Sequence, residues 1–146
     1  MKNNFIGIWL LNSMYSEADD GSKVYPIGKN VNGILIYTDD GYISAQLGNA
    51  NRTNFNNSDF RLGQKNEIIE AFNSYISYYG KYEINIDKKF IIHNVEMSLF
   101  PNWVGTKVKR YYSFSNNQLT LKATPILYDN IMRTPTLNWS KNHILK

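Results

Sequence analysis

Short runs of β-favouring residues, separated by turns rich in Asp, Gly and Asn, dominate this sequence from its start to its end. The clearest hairpin joins segments 33–38 and 42–47 through Asp39-Asp40-Gly41, because Asp-Gly pairs favour tight turns between strands. Along the whole chain, the pattern predicts strands over 7–14, 23–27, 33–38, 42–47, 81–86, 90–99, 106–114, 118–123 and 136–140. The pattern predicts an all-β fold, either a sandwich or a barrel, and eight or nine strands are enough to close a barrel.

Two segments interrupt the strand pattern, one a polar loop and the other a helix. Residues 48–63 are rich in Asn and have no regular period, which predicts a long exposed loop that is mobile or functional. Residues 66–79 predict the one α-helix, with Gly80 as its C-terminal cap. Its apolar stripe at helical spacing consists of Ile68, Phe72, Tyr75 and Tyr79. A helix placed between strands is well suited to cover one mouth of the barrel.

Composition limits the class of protein. Apolar residues make up 42% of the sequence and charged residues 19%, which predicts one folded domain over residues 1–146 and not a disordered chain. The sequence contains no cysteine, so disulfides, thiolate metal sites and a cysteine nucleophile are excluded. The lack of cysteine also favours a reducing compartment.

The net charge of +4 comes from scattered basic residues. The tightest group is Lys107, Lys109 and Arg110, whereas nucleic-acid recognition needs a clustered basic stripe. No apolar run approaches the length of a membrane span, and segment 5–11 is too short and poorly flanked for a signal peptide. We therefore expect a cytoplasmic protein that binds neither nucleic acid nor membrane. Its oligomeric state is left open.

Several strings in the chain resemble one known family. Gly7-Ile8-Trp9 matches the Gly-x-Trp signature of lipocalins, and the string YTDDGYISAQL at 37–47 is similar to the hairpin of bacterial and fungal lipocalin-like proteins. The most specific string is HNVEMSLFPNWVGT at 93–106, followed at the expected spacing by Arg110. From about residue 6 to residue 139 the chain thus resembles the lipocalin-like domain family. One departure is Asn94, which stands where a second histidine beside His93 is expected.

The resemblance implies a closed antiparallel calyx with a central cavity. It does not imply one activity, because some similar lipocalin-like proteins act as cyclases or isomerases in natural-product pathways. It also implies a structural role for Arg110, since an arginine stacks on the signature tryptophan, here Trp9, in many lipocalins.

The alternation of residues along the predicted strands leaves two arrangements of the barrel interior open. In segment 106–114 the lysines must be solvated, so Arg110 points inward and needs a partner, for which Glu96 is the natural candidate. In segment 90–99 an apolar interior places His93 inside, whereas a polar interior places Glu96 inside together with Asn94 and Ser98. The Glu96–Arg110 pairing favours the polar interior, and a bulge could turn both His93 and Glu96 inward.

Candidate site residues follow from these faces. We predict ligand contacts at Tyr37, Ser44, Gln46, His93, Glu96, Asn102 and Arg110. For catalysis the candidates are His93 or Glu96 as acid or base and Arg110 as a stabiliser of negative charge. Each also has a structural interpretation: His93 as a core histidine, Glu96 as the counter-ion of Arg110, and Asn102 as part of a rigid turn at one barrel end.

Two functions remain open at this point. The first is binding of a small apolar or amphipathic ligand in the cavity, and the alternative is a cofactor-independent cyclase, isomerase or lyase that uses the same cavity. Only two histidines are present, without carboxylates at metal-ligand spacing, so we expect neither a metal nor a cofactor. We prefer binding, because every candidate catalytic residue has a structural explanation.

Overall fold

The computed structural model describes residues 2–142 and shows a mostly β protein. A single helical turn, α1 (Lys2–Phe5), precedes the first strand, and α2 (Lys65–Asn73) lies between the fourth and fifth strands. A short 3₁₀ turn spans Pro101–Trp103. The strands are β1 (Gly7–Ala18), β2 (Lys23–Val24), β3 (Val31–Tyr37), β4 (Tyr42–Asn49), β5 (Tyr75–Asn85), β6 (Phe90–Ser98), β7 (Lys107–Ser115), β8 (Gln118–Ala123), β9 (Ile126–Tyr128) and β10 (Ile131–Lys141).

Eight of these strands form a closed antiparallel barrel. They follow one another in the order β1, β3, β4, β5, β6, β7, β8 and β10, and β10 closes the barrel by pairing with β1. The two short strands β2 and β9 are additions at the edges, paired with β1 and β10 respectively. The predicted closed β-barrel with a helix in the middle of the chain is confirmed.

One end of the barrel is filled by aromatic side chains, and we call this end the aromatic base. It consists of Phe5, Trp9, Tyr37, Tyr82, Tyr112 and Phe114. The ring of Phe5 from α1 enters the barrel and meets the rings of Tyr37, Tyr112 and Phe114 edge-on, at centroid distances of 5.4, 4.8 and 4.9 Å. Trp9 Nε1 donates a hydrogen bond to the carbonyl oxygen of Phe5 at 2.7 Å, which fixes α1 across this end.

The helix is shorter than the sequence predicts. It runs from Lys65 to Asn73. At its start, Glu67 Oε2 accepts a hydrogen bond at 2.8 Å from the backbone N–H of Gln64, the residue before the helix. Tyr75 and Tyr79 belong instead to β5. Their spacing also fits a helix, but hydrogen bonding to β4 and β6 holds this segment as a strand.

Gly80 is therefore not a helix cap. It lies at the irregularity between Tyr79 and Gly80 in the β5–β6 pairing, where a Cβ atom would collide with the carbonyl oxygen of Asn94. This close approach of two backbones explains the glycine.

The helix α2 lies at the surface, and none of its residues lines the barrel cavity. No residue of α2 is buried, and Phe72 faces a shallow groove beside Pro26, Leu99 and Phe100.

Segment 48–63 is mostly exposed, as predicted for a loop, apart from its first two residues in β4. Within residues 2–142 no helix is long and apolar enough to cross a membrane.

Candidate functional site

The barrel end opposite the aromatic base contains a cavity of about 340 Å³, which we call the calyx. Inward-facing residues of seven barrel strands form its wall, including Leu35, Ala45, Leu47, Ile76, Val108 and Leu137. Trp103 from the 3₁₀ turn and Ile126 from β9 contribute near the strand ends. The polar side chains of the wall are Ser16, Tyr78, Arg110, Thr124 and Tyr128. An apolar cavity with a few polar groups is typical of small-molecule sites, and this volume lies at the lower end of their range.

Arg110 points into the calyx, as the alternation of β7 predicts. Val108 and Arg110 line the cavity, whereas Tyr112, the next inward-facing residue, is part of the aromatic base. Arg110 therefore lies at the floor of the calyx, where the cavity meets the packed end. The expected stacking of Arg110 on Trp9 is wrong, since the cation above the Trp9 ring is Lys141, with Nζ 5.1 Å from the ring centroid.

His93 points inward and is held between two tyrosines. Its Nε2 lies 2.8 Å from the hydroxyl oxygen of Tyr37, and its Nδ1 lies 2.8 Å from the hydroxyl oxygen of Tyr78. A neutral imidazole carries one N–H and one free nitrogen, so one tyrosine accepts a hydrogen bond and the other donates one. Tyr78 lines the calyx, while Tyr37 and His93 lie behind it, fully buried.

Electrostatics keep this group of three residues uncharged. Burial, and to a lesser extent the positive charge of Arg110, lowers the pKa of His93 from 6.5 to about 3. Burial also raises the pKa of Tyr37 well above its usual value of 10.0, and it raises the pKa of Tyr78. His93 is therefore a neutral core histidine whose hydrogen-bonding capacity is satisfied by protein groups.

The predicted polar interior with a Glu96–Arg110 pair is wrong. Glu96 is exposed on the outer surface, whereas the inward-facing residues of β6 are Ile91, His93 and Val95. Antiparallel pairing places Arg110 opposite Ile91, five positions from Glu96 and too far for an ion pair. Asn94 is also on the outer face, where its Nδ2 donates to Glu83 Oε1 at 2.8 Å.

Three other predicted ligand contacts lie outside the calyx. In β4 the buried side chains are those of Ile43, Ala45 and Leu47, so Ser44 and Gln46 occupy the outer face. Gln46 Oε1 there accepts a hydrogen bond from the Tyr75 hydroxyl at 3.0 Å. Asn102 is exposed in the 3₁₀ turn, and the side chain that enters the calyx from that turn is Trp103. Of the seven predicted contacts, Arg110 lines the calyx, and Tyr37 and His93 support its wall from behind.

Sequence reasoning missed Tyr78 and Trp139 as calyx residues. Tyr78 lies inside the segment predicted as a helix, which hides its alternation with Ile76 along a strand. Trp139 lies on β10 between Leu119 of β8 and Leu11 of β1, and the alternation of apolar residues at 137 and 139 was the available signal. In the part of the chain from 2 to 142, no three His, Asp or Glu side chains form a group that could hold a metal ion.

A closed eight-stranded barrel with a small apolar calyx defines a protein of the lipocalin class. Residues 6–142 match the lipocalin-like domain, and the chain belongs to that family. It is also similar to the 4'-hydroxy-3'-methoxypropiophenone carrier protein ppsC of Aspergillus oryzae, with 27% identity over 106 residues. That match covers 68% of this chain and 96% of the fungal protein.

Proposed function

We propose that this protein binds and carries a small apolar or amphipathic molecule in its calyx. The observation that carries the proposal is the cavity of about 340 Å³, surrounded by apolar side chains with a few polar groups among them. A cavity of this size favours a compact ligand with one or two rings over a long lipid chain. Burial of apolar ligand surface would supply most of the binding free energy.

The similarity to a named carrier supports the same kind of role. The fungal relative is named for transport of a substituted aryl ketone, which is a compact aromatic molecule with polar substituents. We infer that the ligand of this protein has the same general character, an aromatic or alicyclic body with a polar head. The aromatic walls at Tyr78, Trp103 and Trp139 are suited to ring-to-ring contacts.

The enzyme alternative has less support. Of the three catalytic candidates, Glu96 is on the outer surface and His93 is enclosed behind Tyr78. A histidine with a pKa of about 3 is a weak base near neutral pH. Arg110 alone can orient a ligand or stabilise negative charge, but it cannot move a proton near neutral pH.

Native mass spectrometry of protein purified from its own organism tests the proposal directly. We expect a mass difference between the intact and the denatured protein that corresponds to one small organic molecule. Isothermal titration calorimetry of the purified, ligand-free protein with 4'-hydroxy-3'-methoxypropiophenone provides a defined probe. Saturable binding at one site supports the carrier role. No bound molecule together with no heat for this or any other compact aromatic probe would overturn it.

A blocking variant and a matched control locate the bound probe. Val108→Phe adds a ring to the calyx wall, so we expect it to weaken probe binding at least tenfold. Lys107→Phe places the same ring on the exposed face one residue away and should leave the affinity within a factor of two. Equal affinities for the two variants would mean that the probe binds outside the calyx.

A further inference from the structure

At the floor of the calyx, no carboxylate of the described residues 2–142 pairs with the positive charge of Arg110. Arg110 makes one hydrogen bond to the protein between residues 2 and 142, from Nη1 to the carbonyl oxygen of its neighbour Lys109 at 3.2 Å. A guanidinium group carries five N–H donors, so most of its donor capacity is unused there. None of the described residues that line the calyx is acidic.

The groups nearest to Arg110 cannot supply the missing charge. Tyr78 and Tyr37 lie close enough for the guanidinium to act on their ionisation, but burial outweighs this effect and raises the pKa of both hydroxyls. His93 is neutral for the same reason. A partly buried cation beside apolar side chains and neutral hydrogen-bonding groups is stabilised when an anion joins it.

A second unsatisfied donor belongs to the same wall. The ring of Trp139 lines the calyx, and its buried Nε1 has no hydrogen-bond partner among the residues described. The indole nitrogen is a donor only. The unused polar capacity of both residues therefore consists of donors, and the guanidinium of Arg110 is the one at the calyx floor that a ligand with acceptors would complement.

We propose that the calyx selects ligands with an anionic head group, such as a carboxylate, which pairs with Arg110 at the calyx floor. This inference rests on the proposed carrier function and specifies its ligand class. The apolar body of the ligand extends from Arg110 past Val108 towards Trp103 and Ile126. In this arrangement the ligand's charge compensates Arg110, and its body fills the apolar part of the cavity.

A pair of probes of nearly equal shape tests the charge requirement. In 2-naphthoate and 2-naphthamide the same two rings carry either a carboxylate or a neutral amide. We expect the wild-type protein at neutral pH to bind naphthoate at least tenfold more tightly than naphthamide by isothermal titration calorimetry. Because Arg110 is partly buried at the calyx floor, the preference should be reduced less by 0.5 M salt than that of an exposed charge pair.

Two variants assign the preference to one residue. Arg110→Met removes the charge while keeping a long side chain, and it should abolish the preference for naphthoate while naphthamide binding stays within about threefold. Lys109→Met removes the same charge from the neighbouring position on the other face of β7, and it should leave the preference intact. The wild-type comparison needs no variant, so a folding defect in Arg110→Met would not prevent the test.

The outcomes separate this inference from the carrier function. Equal binding of both probes by the wild-type protein would overturn the anionic head group and leave the carrier role standing. A preference that survives in Arg110→Met but is lost in Lys109→Met would also overturn it, because an outer charge would then be responsible. Failure of naphthoate, naphthamide and the aryl ketone probe to bind would overturn both proposals.

Discussion

The aromatic base and the calyx are built from the same eight strands, yet one end is solid and the other is hollow. At the base the inward-facing positions carry large rings, such as Tyr37, Tyr112 and Phe114, which pack around the ring of Phe5. At the calyx several of the equivalent positions carry small side chains, including Ser16, Ala45 and Ala123. The backbone therefore provides a closed wall throughout, and the volume of the inward side chains decides where a cavity remains.

A layer of hydrogen-bonded polar residues separates the two ends. Tyr37 belongs to the base and Tyr78 to the calyx wall, and His93 joins their hydroxyls. Arg110 lies on the calyx side of this layer. A polar layer at this depth joins three strands, β3, β5 and β6, and gives the calyx a rigid floor, against which a ligand can be oriented.

The largest expected contrast between the two ends comes from their tryptophans. Trp9 is 2% exposed and anchors α1, so Trp9→Ala should lower the free energy of unfolding by about 3–5 kcal/mol. Trp103 is half-buried at the calyx, and Trp103→Ala should cost no more than about 2 kcal/mol. Urea denaturation followed by far-UV circular dichroism measures both. Equal losses would mean that the calyx end is packed as tightly as the base.

The polar layer should make stability depend on pH through His93. Its pKa is lowered to about 3 in the folded protein from 6.5, so the unfolded chain binds more protons between these values, and stability falls as the pH drops below 6.5. We expect a loss of about 2 kcal/mol between about pH 6.5 and 4.5. Denaturation at a series of pH values measures this loss.

The matched control for this pH dependence is His93→Phe, which should lose less stability over the same range because its core contains no group to protonate. Both proteins should carry His143→Gln, which removes the other histidine of the sequence. Parallel pH profiles for the two proteins would show that His93 is not responsible.

Sequence reasoning predicted the barrel well because its main signals are local. The hairpin at Asp39-Asp40-Gly41 and the alternation along β7 follow from turn chemistry and from the two-residue period of a strand, and both are present in the structure. The inward direction of Arg110 was predictable for the same reason, since its neighbours Lys107 and Lys109 must reach solvent.

The rest of the site depends on the register of strand pairing and on which face of each strand points inward, and a single sequence determines neither. Glu96 and Arg110 lie on neighbouring strands, but only the register shows that Arg110 faces Ile91 instead. In β4 the hydroxyl of Ser44 and the amide of Gln46 suggest ligand contacts, but the apolar set Ile43, Ala45 and Leu47 marks the inward face. Tyr75 and Tyr79 were assigned to a helix because their spacing also fits one.

A smaller effect is expected from the tyrosine on the base side of the polar layer. Tyr37→Phe removes the hydroxyl that pairs with His93 Nε2 and leaves a buried ring nitrogen without its partner, so we expect a loss of about 1.5 kcal/mol. Tyr42→Phe makes the same chemical change at an exposed residue of the next strand and should change stability by less than about 0.5 kcal/mol. Thermal and urea denaturation of the pair give the difference, and equal losses would show that the Tyr37 hydroxyl contributes nothing specific.

The smallest expected effect tests where the calyx wall ends. Gln46 and Leu47 are neighbours on β4, but Gln46 is exposed outside the barrel while Leu47 is 3% exposed and lines the calyx. Gln46→Ala should therefore change stability by less than about 0.5 kcal/mol and leave the affinity for the aryl ketone probe unchanged. Leu47→Ala enlarges the cavity and should weaken both, because it removes apolar contacts from the wall and from any bound ligand. If Gln46→Ala weakened binding as much as Leu47→Ala, the ligand would contact the outer face of β4, and the calyx would not be the binding site.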